Sequence, residues 1–169
     1  MSLALLLAGC AGETGVMDSA DAPTAGGVAL VAVDAWVPAD SDPYDDERPD
    51  TVDCPDWGYG EELGVFEVET DICRYGSFSQ PLLAQVAAGD ALSLDLWHDA
   101  LWAAEPAQAH LALGLGDQVL WELTVGIPAD AQTYRLSLQA QSDAASGAKG
   151  VHVHNHGANS YNFGVLSRD

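Results

Sequence analysis

The sequence predicts an all-β domain built as a two-sheet antiparallel β-sandwich, and three observations carry that prediction. Apolar residues recur at every second position through several separate runs, which is the period of a strand with one face buried. Each run is short, about five to nine residues, as sandwich strands are. Turn pairs such as Gly89-Asp90, Gly116-Asp117, Pro128-Ala129-Asp130 and Ser146-Gly147 separate the runs.

In chain order, the folded part begins near Val28, where VALVAVDAWV is a dense apolar run suited to a strand. An acidic, Pro-rich loop over 38–62 follows, long enough to be functional in a compact domain. In GVFEVETDI, Phe66, Val68 and Thr70 share one face and Glu67 and Glu69 the other. PLLAQVAAGDAL reads as a brief helix or, from its Gly89-Asp90 ending, as a turn between strands. DALSLDLWHDAL places Leu92, Leu94 and Leu96 together, and AHLALGL opposes Leu111, Leu113 and Leu115 to His110, Ala112 and Gly114. QVLWELTVGIP sets Val119, Trp121, Leu123, Val125 and Ile127 on one side, and TYRLSLQAQ does the same for Tyr134, Leu136 and Leu138. Tyr161, Phe163 and Val165 form a last alternating face. The total is about seven to nine strands, a jelly-roll-like sandwich in one domain over 28–169. No internal repeat is present.

Charge narrows the partners. Five Lys plus Arg against 26 Asp plus Glu give a formal net charge of −21, which repels phosphate backbones. Nucleic acid is therefore not an expected partner. Such a chain suits saline surroundings, where salt screens its self-repulsion.

The first ten residues, MSLALLLAGC, are an apolar run ending in Leu7-Ala8-Gly9-Cys10. This resembles the lipobox of bacterial lipoproteins. The resemblance implies a signal peptide over 1–9, cleavage before Cys10, acylation of that cysteine, and anchoring of the mature protein to a lipid bilayer. Ala11 after the cysteine resembles the outer-membrane sorting pattern, so the cell envelope is the expected location. The departure from the pattern is that no Lys or Arg precedes a short apolar run, which suits a true start upstream. Residues 10–27, small, polar and acidic, then read as the acylated cysteine and a flexible tether. With Cys10 lipidated, Cys54 and Cys73 remain as an even pair, and in an exported protein such a pair reads as one disulfide.

The chemistry concentrates in GVHVHNHGANSYNFGVL. His152, His154 and His156 share one face of an extended strand, with neighbours about 7 Å apart and the outer two about 13 Å. One metal ion can take two of them, and further ligands must come from elsewhere; His110 and His98 are the remaining histidines. A zinc site from His152 and His154 with His110 or His98 is thus one reading. The H-x-H pair is similar to that of cupins, although no Glu follows at their spacing. A polar strand surface is a second reading. A third is a neutral ligand site: His152, His154, Asn155, His156, Asn159 and Tyr161 offer the amides, imidazoles and aromatic ring that a sugar needs. The strand pattern is similar to jelly-roll and galactose-binding-like modules, which implies a glycan or an envelope protein as partner. Asp40, Asp42, Asp45, Asp46, Glu47, Asp50 and Asp53 supply oxygen ligands for calcium, without the spacing of an EF-hand. No catalytic residue is nominated: there is no G-x-S-x-G elbow and no evident triad. The sequence therefore favours a binding or envelope-structural role over catalysis, with a zinc-dependent enzyme or metal-binding protein as the alternative and no cofactor required.

Overall fold

The structure, a computed structural model, describes residues 27–42, 44–116, 118–144 and 148–169. The lipobox with Cys10, the tether up to residue 26, Asp117 and the Ser146-Gly147 turn lie outside the described residues. What is described is a β-sandwich of two antiparallel sheets. Its only helical piece among those residues is a 3-10 turn, Asp45–Glu47.

The strands are β1 (Val28–Ala29), β2 (Val37–Pro38), β3 (Tyr59–Glu62), β4 (Val65–Glu69), β5 (Tyr75–Gln80), β6 (Ala91–His98), β7 (Ala107–Leu115), β8 (Gln118–Ile127), β9 (Gln132–Gln139), β10 (Ala148–Asn155), β11 (Ser160–Phe163) and β12 (Ser167–Arg168). One sheet runs β1-β12-β6-β11-β4-β3, with β9 pairing β6; the other runs β2-β5-β10-β7-β8. The antiparallel pairs β7·β8, β6·β9, β5·β10 and β4·β11 are nested one inside the next. A long double strand folded over itself has this nesting, so the topology is that of a jelly roll.

The alternating apolar faces meet between the sheets. Phe66 from β4 touches Phe78 from β5 with ring centroids 5.1 Å apart, and Trp36 stacks on Phe66 at 5.3 Å. Phe66, Val68, Leu92, Leu96, Leu111, Leu115, Val153 and Tyr161 are all fully buried there. Cys54 and Cys73 are joined in a disulfide, closing a 19-residue separation that constrains the unfolded chain by about 3 kcal/mol.

Three details depart from simple alternation. The run VALVAVDAWV is not one strand. β1 lies in one sheet and β2 in the other, with a turn at Ala32 to Ala35 between them, and the buried Gln80 amide bonds both the N–H and the C=O of Ala32. In β8 a bulge pairs Leu113 with Trp121 but Gly114 with Val119. The extra residue, Leu120, shifts the phase, so Val119 leaves the face of Trp121 and is exposed. After β11, Gly164 interrupts the last strand; Val165 is exposed and Leu166 takes the buried place. The segment before Gly89 is a loop rather than a helix.

Candidate metal centre

Register assembles the site. In the five-stranded sheet Val151 and Val153 of β10 face the core, which turns His152 and His154 to the outer face. His152 stands opposite Ser77 on β5 and Ala112 on β7; His154 stands opposite Tyr75 and His110. A directly opposed antiparallel pair has Cβ atoms about 5 Å apart, and its diagonal neighbours remain within reach of long side chains. Three imidazoles therefore share one patch of sheet, two from the central strand and one from its neighbour.

An outer sheet face carrying His152 would ordinarily be wet. Here the acidic segment after β2 folds across it, and His152 is left only 2% exposed. Three anchors hold the segment down. Asp42 accepts hydrogen bonds from the Ser77 hydroxyl at 2.8 Å, from the Tyr44 N–H at 2.9 Å and from the Tyr75 hydroxyl. Tyr44 lays its ring 4.5 Å from His152 and 4.9 Å from His110, centroid to centroid, and donates its hydroxyl to Glu122 on β8. Glu47, in the 3-10 turn, puts one oxygen, Oε2, 3.0 Å from His110 Nδ1 and 3.4 Å from His154 Nδ1. The remaining acidic residues of the segment, Asp40, Asp45, Asp46, Asp50 and Asp53, are exposed.

Charge states follow from these contacts. Burial pushes His152 down to about 4, so its ring is neutral at physiological pH. Burial would raise Asp42, but its hydrogen bonds from Tyr75, the Tyr44 backbone and Ser77 hold it below the ordinary carboxylate range. Glu47 is likewise held low against burial, by His110 and His154. Burial and neighbouring carboxylates raise the Tyr44 and Tyr75 phenols. The site thus pairs two anions with neutral imidazole, the protonation state of metal ligands.

One atom in this patch is unpartnered. His152 Nδ1 lies 2.9 Å from Ser77 Oγ, whereas His152 Nε2 is buried with no hydrogen-bond partner. Glu47, His110 and His152 each offer a ligand atom, and these lie within 4.8 Å of one another. Zinc with ligand bonds of about 2.0–2.1 Å needs them about 3.3 Å apart. Glu47 Oε2 and His110 Nδ1 already stand 3.0 Å apart.

Of the other residues nominated from the sequence, His156 borders this patch and the rest lie apart from it. His98 sits on β6 in the opposite sheet and faces the core, with Nδ1 donating to the Asp99 carbonyl at 2.8 Å and Nε2 3.4 Å from the Tyr134 hydroxyl. Both its nitrogens are engaged. Asn155 and Tyr161 are fully buried; the Tyr161 hydroxyl donates to Asn155 Oδ1 at 3.3 Å, and the Asn155 amide donates to the Gly157 carbonyl at 2.6 Å. Asn159, at φ +99°, builds the turn before β11, accepting from Ser160 N–H and donating to the Ala100 carbonyl. Gly157 serves the same turn through space, since a Cβ there would lie 2.8 Å from Ile127. His156 is exposed beyond the end of β10, its ring 4.5 Å from that of His154.

Fold and site together define the molecule as a disulfide-linked jelly-roll sandwich with a capped histidine and carboxylate cluster on its outer sheet. No protein-family model matches the chain. No curated protein matches it. Among solved structures it is similar to one described as "CBM4 structure and function", at 19% identity and a TM-score of 0.40 over 66% of this chain and 75% of that one. It is also similar to the K3 cleaved adhesin domain of Lys-gingipain from Porphyromonas gingivalis, at 10% identity and a TM-score of 0.45 over 85% of this chain and 98% of that one. Likeness at this level carries neither ligand nor activity to the present chain.

Proposed function

We propose that this protein is an exported, lipid-anchored binding module that holds a zinc-type divalent ion at Glu47, His110 and His152. The observation that supports the metal is the buried, unpartnered Nε2 of His152, a residue that clusters with the Glu47 carboxylate and the His110 imidazole. An orphaned buried acceptor costs roughly 1–3 kcal/mol, and coordination removes that cost. Two imidazoles and one carboxylate suit zinc and its neighbours rather than calcium, which takes six or more oxygens. Three protein ligands leave a coordination position open, where zinc carries water or an incoming donor. A metal fits the His152 to Tyr161 segment better than a glycan does, because Asn155, Asn159 and Tyr161 spend their polar atoms on internal hydrogen bonds. Export to the cell envelope and acylation at Cys10 rest on the lipobox-like start, and the Cys54–Cys73 disulfide is consistent with an oxidising compartment.

Metal analysis of the tag-free chain tests the site. One zinc per chain is expected, lost in His152→Ala, and a metal-free wild type after exposure to zinc would end the proposal. Membrane fractionation tests the anchor separately: the wild type should sediment with membranes and Cys10→Ala should not. A wild type found wholly in the soluble fraction would remove the lipoprotein part.

A further inference from the structure

We infer that Asp42 and Ser77 act as positioning residues that lock the His152 ring as its Nδ1–H tautomer, so that Nε2 enters the site as a bare electron pair. The consequence for metal affinity rests on the proposed zinc site; the tautomer itself does not.

A serine hydroxyl has one proton and two lone pairs. Ser77 Oγ has two neighbours, Asp42 Oδ1 at 2.8 Å and His152 Nδ1 at 2.9 Å. Asp42 Oδ1 already accepts the Tyr44 N–H, which cannot do anything but donate. That oxygen is therefore an acceptor, whichever protonation state its partner Oδ2 takes up with Tyr75. If Ser77 gave its proton to His152, two lone pairs would face each other at 2.8 Å between Ser77 and Asp42. The proton of Ser77 must go to Asp42. Ser77 Oγ is then left as an acceptor, and His152 Nδ1 must carry the hydrogen that fills the 2.9 Å contact. In a neutral ring the remaining nitrogen, Nε2, carries none.

The surroundings of Nε2 agree with this count. Nε2 has no hydrogen-bond partner, so a proton placed there would find no acceptor, whereas a proton on Nδ1 faces Ser77 Oγ at 2.9 Å. A lone pair in a buried cluster with an anion and a second imidazole lacks a donor or a Lewis acid, and a cation supplies the second. A hydrogen bond to the far nitrogen of a ligating histidine is also what fixes ring orientation in metal sites. The acidic segment thus contributes twice, with Glu47 as ligand and Asp42, through Ser77, as the group that sets the proton on His152.

Long-range proton–nitrogen correlation spectra of the nitrogen-labelled, metal-free chain at neutral pH read the tautomer directly, with His152→Gln assigning the signal. The Nδ1–H form is expected in the wild type and in Ser77→Thr, with Ser77→Ala moving toward Nε2–H. Zinc affinity, measured by competition with a chromophoric chelator, should fall about 10–100-fold in Ser77→Ala and recover in Ser77→Thr. A wild-type ring found as Nε2–H overturns the inference even if zinc binds. An Nδ1–H ring in a protein that takes up no zinc upholds the lock and overturns the metal reading instead. A Ser77→Ala variant with unchanged tautomer and unchanged affinity removes the positioning role.

Discussion

Replacing His152 by leucine should stabilise the metal-free protein and abolish its stabilisation by zinc, so that the order of the two proteins inverts when the ion is added. In the metal-free wild type, Nε2 is a buried polar atom without a partner, a cost of roughly 1–3 kcal/mol. Leucine, similar in bulk, removes that atom. It also removes the Nδ1–H bond to Ser77, worth about 0.5–1.5 kcal/mol, while Ser77 keeps its bond to Asp42. The balance favours leucine by about 0.5–1.5 kcal/mol, or about 2–5 °C in Tm for a domain of this size. Zinc at a thousand times its Kd adds about 4 kcal/mol to a protein that binds it and nothing to one that does not. Thermal unfolding at pH 7, with the disulfide intact, in chelator and then in excess zinc, gives all four values. A leucine variant less stable than wild type in chelator, together with equal zinc shifts for both proteins, would refute the reasoning.

In chelator, acid should weaken the wild type between about pH 6.5 and pH 4. The unfolded ring takes its proton first, and the folded ring resists until about 4, so stability present above 6.5 is lost as pH falls, by about 3 kcal/mol in full. His152→Leu should lack this component in pH-dependent urea titrations, although both proteins will lose the Asp42 and Glu47 contributions at lower pH. Converting Cys54 and Cys73 both to serine should cost about 3 kcal/mol, read as a Tm about 10 °C lower. Gly150→Ala should prevent stable folding, because its Cβ would lie 1.9 Å from Trp36 Cζ3 and 2.7 Å from the Phe78 carbonyl oxygen; a soluble variant with wild-type Tm would show the Trp36 packing to be wrong.

The strands were readable from sequence because alternation is local. Phe66 and Val68, Leu92 to Leu96, and Leu111 to Leu115 bury the side that the period of two assigns them. Alternation fails where one residue changes the phase, as at the Leu120 bulge and at Gly164, since neither leaves a mark on composition. The site was half readable. An H-x-H pair on one outward face follows from parity, but parity is silent about which sheet a strand joins. His98 and His110 both stand on alternating strands, and only the jelly-roll pairing sends one to the opposite core and the other to face His154. The carboxylates were the least readable part. Asp42 and Glu47 look like their solvated neighbours, and what separates them is a set of contacts with residues 35 and more positions away, at Ser77, His110 and His154. Tyr44, an aromatic residue inside the acidic run, is a local sign that the segment has a surface to lie on.

The way the acidic segment is pinned bears on how long an ion bound as proposed would stay. Glu47 and Asp42 ride on the same stretch of chain, and Tyr44 between them meets His110 edge-on and His152 at a tilt. An ion bound as proposed beneath them would leave when that stretch lifts, a local opening with its own free energy. Exchange against an external chelator should then proceed at the opening rate, first order in protein and indifferent to how much chelator is present. A module that holds metal this way would not follow the momentary level of free metal outside it; it would average that level over the lifetime of the closed segment.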